Sequence, residues 1–276
     1  MTQKDMKRQL AIIHFNTPEL TEACILSIRK HGCDWPVVVF DNSREMTFAE
    51  GEGLPERVVE AHPFKRKMKG VKVIDNTKGQ VIDFESTLAA FPNKTRAHAA
   101  VNGWGSDVHM MTIDKLFDLL PDGFLLVESD VLIRADITPM WDERYSFCAY
   151  VQRKQRGNKF GIGRILPMLC YLNVPKFRAE GVRYFDPDRS WMLHPNEEDR
   201  RNWYDTGASI LEDVLTHRPR LKGLHVDIRP MVVHLGGASY TNNASLKVQA
   251  AWLAEHKELW EMGKPKTLKT TNSKSM

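Results

Sequence analysis

Apolar positions in the first third of the chain alternate between short continuous runs and helical spacing. Leu10-Ala-Ile-Ile-His-Phe15 is an apolar run, and Asn16-Thr-Pro-Glu19 then offers a helix N-cap with proline near the first turn. Leu20, Ala23, Cys24 and Ile28 follow at helical spacing, and Gly32 closes the segment. Pro36-Val-Val-Val-Phe40 is a β-branched run stopped by Asp41-Asn-Ser43. Strand, helix and second buried strand predict a βαβ unit with a right-handed crossover, hence a parallel sheet. Val71–Ile74, followed by the turn residues Asp75–Gly79, predicts a third strand. Arg44–Gly70 reads as polar and irregular.

Further on, Val108, Met111, Ile113, Leu116, Leu119 and Leu120 make the apolar face of a helix over Asp107–Leu120, broken by Pro121-Asp-Gly123. Phe124-Leu-Leu-Val127 then predicts a buried strand with Glu128, Ser129 and Asp130 at its carboxyl end. Ligands in open α/β sheets bind at the carboxyl ends of strands. Three strand ends therefore bring polar residues to one rim: His14/Asn16, Asp41/Asn42 and Glu128/Asp130. The second half is less regular. Arg144–Cys170 mixes short strands with a basic loop, and Asp186–Asn202 is polar and loop-like. Asp205-Thr-Gly207 opens a helix through Leu215. His225–Ile228 and Met231–Val233 read as strands, and Ala244–Met262 as one amphipathic helix carrying Val248, Ala251, Trp252, Leu259 and Trp260. The lysine-bearing stretch from Gly263 reads as disordered.

Composition narrows the class. The 276 residues are 42% hydrophobic and 27% charged, with 39 Lys+Arg against 35 Asp+Glu. That near-balance lacks the dense basic face of a nucleic-acid binder. Cys24, Cys33, Cys148 and Cys170 are too widely spaced for a Cys-rich zinc site, and a reduced cytoplasmic setting is expected. No leader is expected behind the polar Met1–Gln9, and no stretch approaches the ~20 apolar residues of a membrane span.

Several residues suit chemistry. Alternation along a strand turns Glu128 and Asp130 to the same side, where both carboxylates can face one ligand; a hard cation takes few carboxylates and completes its shell with phosphate and water. The plain alternative is two solvated loop acids. His234, before Gly236 and Gly237, is a suitable Mn²⁺ partner, although a lone histidine at a strand end is more often structural. Asp205 is explained by N-capping and equally by a base held at a helix start. Glu212 and Asp213 sit within that helix, where solvation is the default. The runs Lys65–Lys69 and Arg153–Lys159 read as solvated loops, or as charge for a diphosphate. Trp191, Trp203 and Tyr204 suit stacking on a sugar, or a core. Gly161-Ile-Gly163 fits no dinucleotide fingerprint.

In order, Ala11–Leu20, Val37–Ser43, Leu125–Ile133 and Val232–Ser239 resemble the GT-A-fold glycosyltransferases, in particular the family 2 type, across residues 10–240. The resemblance implies one Rossmann-like α/β domain, a mixed, mostly parallel sheet flanked by helices. It places Phe15, Asn16 and Thr17 beside the nucleotide and likens Asp41-Asn42-Ser43 to the turn at base and ribose. Glu128-Ser129-Asp130 resembles the D-x-D motif, with Asp130 on a divalent metal, Mn²⁺ or Mg²⁺, and Glu128, one methylene longer than aspartate, near the ribose or donor sugar. His234 resembles the histidine that completes the metal or diphosphate site. The base would be Asp205, with Asp213 as second choice.

The implied reaction moves a sugar from a UDP- or GDP-sugar to a sugar or lipid-linked acceptor, with inversion, in cell-surface polysaccharide or glycolipid assembly. Residues 10–133 would form the nucleotide-sugar half and 134–243 the acceptor half, between a lead (1–9) and a helix (244–262) with a basic tail (263–276). That tail suits at most weak peripheral contact with anionic lipid. Two other readings stay open: a nucleotidyltransferase making the sugar nucleotide, against which the glycine-free His14–Pro18 turn counts, and a non-catalytic sugar-nucleotide binder.

Overall fold

The first two strands are hydrophobic on both faces, and the architecture follows from that. Strand β1 (Leu10–His14) is buried at every position, as is β2 (Val37–Asp41), and the two pair in parallel from Leu10↔Val37 to His14↔Asp41. Period-2 alternation sends Leu10, Ile12, Val37 and Val39 to one side and Ala11, Ile13, Val38 and Phe40 to the other. Such strands need a covering layer on each face. Helix α1 (Pro18–Lys30) covers the first side with Cys24, Ile25 and Ile28. Each Val or Ile fully removed from water contributes about 1.5–3 kcal/mol.

The computed structural model describes residues 7–49, 56–89, 105–153, 163–186, 189, 206–238 and 245–262. After β2 come β3 (Met46–Ala49) and β4 (Glu56–Val59), paired antiparallel, then β5 (Val71–Asp75) and α2 (Phe84–Ala89). Helix α3 (Gly105–Leu119) covers the second face with Met110, Ile113, Leu116 and Phe117. Next come β6 (Phe124–Glu128), β7 (Val131–Ile133), β8 (Phe147–Arg153), β9 (Gly163–Leu172) and α4 (Val174–Ala179). Helix α5 (Ala208–Glu212), β10 (Gly223–His225), β11 (Val232–His234), α6 (Leu246–Glu255) and α7 (Lys257–Trp260) complete the order.

Seven strands form one sheet in the order β10-β8-β9-β6-β1-β2-β5. Every pairing in it is parallel except the two made by β9. The α/β class with a mixed, mostly parallel sheet flanked by helices is therefore what the chain adopts. Strands β7 and β11 form a separate antiparallel pair, in which Val131 lies opposite His234. No helix among the described residues is long and apolar enough to cross a membrane.

Four expectations change. The Arg44–Gly70 stretch, read as irregular, carries the β3–β4 ribbon. Leu119, read as core, is 40% exposed, and Met110 and Phe117 take its place in the buried face. The C-terminal helix is two helices meeting at His256, and its buried positions are Gln249 and Leu253, with Val248 exposed. Gln249 earns burial through a bond: its Nε2 donates to the Ala238 carbonyl at 3.1 Å. The strand read over His225–Ile228 ends at His225. The basic tail, the Asp186–Asn202 loop apart from Asp186 and Arg189, and residues 154–162 lie outside the described residues.

Candidate functional site

At the carboxyl end of β6 the chain turns tightly into β7, and this turn carries Glu128, Ser129 and Asp130. Its position is set by α1. The Ser129 hydroxyl lies 3.2 Å from that of Thr17, and the Ile133 N–H donates to Ser27 Oγ at 2.9 Å. Strand β11 then delivers His234 through the β7 ladder, and the Leu235 N–H donates to the Asp130 carbonyl at 3.1 Å. His234 Nε2 stands 3.3 Å from Asp130 Oδ1 and 3.5 Å from Glu128 Oε2. One ligand atom from each of Glu128, Asp130 and His234 lies within 4.8 Å of the others. The structure thus brings together three residues singled out in the sequence, Glu128, Asp130 and His234.

The electrostatics fit the geometry. Burial alone would lower the proton affinity of His234, but its hydrogen bond to Asp130 and the charges of Asp130 and Glu128 raise it above the ordinary value. Two carboxylates facing one imidazole are a set of oxygen and nitrogen donors around a focus of negative charge. Further along, Gly236 and Gly237 adopt positive φ, and the Ala238 N–H points back to Asp130 Oδ2 at 3.4 Å.

The other residues expected at the rim are engaged inside the protein. Asp41, only 2% exposed, accepts the Ser43 N–H at 2.9 Å and the Phe64 N–H at 2.8 Å. Asn42 donates to Thr112 Oγ1 at 2.8 Å and accepts from Asn76 at 2.9 Å. His14 is fully buried, with Nε2 3.0 Å from the His62 carbonyl and Nδ1 2.7 Å from Thr21 Oγ1. That pairing assigns the proton to Nε2, since a carbonyl only accepts. Asn16 takes a left-handed φ of 55° while its amide bridges the His62 N–H and the Arg44 carbonyl, at 3.0 and 2.7 Å. These bonds pin the His62–Phe64 segment over the ends of β1 and β2. Phe15 is half-buried, with the Arg44 guanidinium 5.3 Å from its ring centre and 5.4 Å from that of Phe84. Burial lowers the Arg44 pKa to about 10, against the opposing charge of Glu85.

Neither family models nor curated proteins match the chain. Solved structures do. The galactosyltransferase LgtC, in complex with donor and acceptor sugar analogs, is 16% identical over 80% of this chain and 74% of its own, with a TM-score of 0.47. The glycosyltransferase GlyE of Streptococcus pneumoniae TIGR4 is 12% identical over 92% of this chain, with a TM-score of 0.40; the match covers 50% of GlyE. The bifunctional glycosyltransferase WbbM is 11% identical over 82% of this chain and 39% of its own, with a TM-score of 0.36.

The two acids considered as base fare differently. Asp205, Trp191, Trp203 and Tyr204 lie outside the described residues. Asp213 was expected on a solvated helix face, but it is buried and both of its oxygens meet the Arg189 guanidinium, at 3.1 and 2.9 Å. Arg189 also reaches Glu212 at 3.1 Å and Asp186 at 2.6 Å. The basic residues Lys65–Lys67 are exposed, and Arg66 pairs with Glu19 and Glu22 of α1. Sequence reasoning missed His109, whose Nε2 lies 3.9 Å from Glu128 Oε1. A lone histidine on a helix gives no signal of its own, and only the fold brings it beside β6.

Proposed function

We propose that the chain is a metal-dependent glycosyltransferase that moves a sugar from a nucleotide-diphosphate sugar to an acceptor hydroxyl with inversion, in cell-surface glycan or glycolipid assembly. The observation that carries this is the Glu128–Asp130–His234 donor cluster at the carboxyl end of a strand in a mostly parallel sheet. Its donor chemistry fits a divalent cation. Two carboxylate oxygens suit Mg²⁺ or Mn²⁺, and the imidazole tilts the set toward Mn²⁺. A cation held by Asp130 and His234 supplies charge neutralisation for a leaving diphosphate.

The chain's own residues do the rest. The Leu235 N–H on the Asp130 carbonyl and the Ala238 N–H on its Oδ2 hold Asp130 in place, so its carboxylate needs little rearrangement on ligand entry. Glu128 adds its Oε2 to the same point, 3.5 Å from His234 Nε2. Asp205 takes the proton of the acceptor hydroxyl, because Asp213 is buried and both of its oxygens face the Arg189 guanidinium.

A panel of UDP- and GDP-sugars with Mn²⁺ tests the proposal. The expected result is sugar release or transfer that stops with chelator and with Asp130→Ala, and a drop of roughly 10²–10⁴-fold in turnover for Asp205→Asn with donor binding kept. The product anomer, read by NMR, reports inversion. Donor binding without turnover would mark a binder, and pyrophosphate release from a nucleoside triphosphate and a sugar phosphate would mark a nucleotidyltransferase. Either would overturn the proposal.

A further inference from the structure

Glu128 stands between two imidazoles. Its Oε2 lies 3.5 Å from His234 Nε2 and its Oε1 3.9 Å from His109 Nε2. The oxygen that His234 does not approach is thus the one that His109 faces. His109 rides on α3, where Val108 and Met110 beside it are buried in the core, so the helix backbone at this point is fixed by packing. Its own side chain is mostly buried, at 18% exposed. The contact is too long for a direct hydrogen bond and leaves the imidazole edge facing the carboxylate oxygen, within reach of one bridging water.

We propose that His109 is a positioning residue that holds Glu128 in the metal site, which rests on the metal-site reading above. The length of the side chain sets the requirement. Glutamate carries one more rotatable bond than aspartate, so a glutamate ligand loses more conformational freedom on being fixed. An aspartate at 128 would end about 1.5 Å further back and could not face both imidazoles from the same backbone position. The longer acid and the histidine on α3 therefore work as a matched pair. His109 holds Oε1, which leaves Oε2 directed at the point shared with Asp130 and His234. Outer partners of this type orient a ligand before the cation arrives, and their loss typically weakens metal binding by roughly 10- to 100-fold.

The test is Mn²⁺ affinity of the full chain, read as free Mn²⁺ by electron paramagnetic resonance, with metal-free thermal melts run on every variant. His109→Ala should weaken binding roughly 10- to 100-fold, and His109→Gln, which keeps a donor, should recover part of that loss. Glu128→Asp should also weaken binding, and adding His109→Ala to it should cost little more, because the shorter acid has already lost its contact. Parental affinity in His109→Ala alongside weakened binding in His234→Ala would overturn the positioning role and leave the metal site standing. So would an equal loss from His109→Ala in the parent and the Glu128→Asp background. Parental affinity in both Asp130→Ala and His234→Ala would instead overturn the metal site itself. Should His109→Ala fail to fold in its metal-free melt, His109→Gln in the parent and Glu128→Asp backgrounds decides the same question.

Discussion

Asp41→Ala separates a structural carboxylate from a ligand-binding one. The resemblance of Asp41-Asn42-Ser43 to a nucleotide-contacting turn implies that removing this acid impairs donor binding in a stable protein. The structure implies the reverse order of effects. Both carboxylate oxygens are occupied, one by the Ser43 N–H and one by the Phe64 N–H, in a side chain only 2% exposed. Hydrogen bonds to a charged group contribute about 1.5–3 kcal/mol each, and their loss strands two buried N–H donors. Relief of the carboxylate's own burial offsets part of this, leaving a net loss of about 2–4 kcal/mol. In a chain of this size that lowers the midpoint of thermal unfolding by on the order of 10 °C. Denaturant unfolding followed by tryptophan fluorescence measures it, and Asp41→Asn, which keeps one acceptor, should lose roughly half as much. An unchanged midpoint in Asp41→Ala together with lost nucleotide binding would refute the reasoning and return Asp41 to the ligand.

Two further outcomes follow from buried groups. His14 is held neutral, because burial lowers its pKa below the ordinary 6.5 against the opposing pull of Asp41 and the His62 carbonyl. The unfolded chain therefore takes the proton first, so stability falls as pH drops from 6.5 toward the lower folded value. His14→Gln should flatten that part of the profile in denaturation series between pH 8 and pH 5. Gly207 opens α5 at a φ of 78°, and a Cβ there would lie 2.4 Å from the Ile165 carbonyl oxygen. Gly207→Ala should cost at least 1–3 kcal/mol in the same assay, through left-handed strain plus the clash.

The parts of the fold legible in the sequence are those where one face or both faces are apolar without interruption. β1, β2, β6, α1 and α3 are all marked this way. The acid pair was legible for the same reason, since it follows a continuous apolar strand. The rest depended on contacts distant in sequence. Nothing in His14, Asn16 or Asp41 reveals that His62–Phe64 will lie over them and take their hydrogen bonds. The burial of Asp213 depends on Arg189, and the approach of His109 to Glu128 depends on where α3 packs over the sheet. A polar residue at a strand end shows that a rim exists, but a segment elsewhere in the chain decides whether that rim is open.

The pairing of β7 with β11 sets when the site can exist. Val131 and His234 face each other across that ladder although they are roughly a hundred residues apart in the chain, so closing it is a long-range step. A chain in which that ladder is open has the two acids but lacks the imidazole opposite them. On the proposed metal reading, tight Mn²⁺ capture would then report completed tertiary assembly, and metal would stabilise only molecules in which β11 has found its register. Since side chains alternate along a strand, a slip of a single residue would turn His234 to the other face of the ribbon.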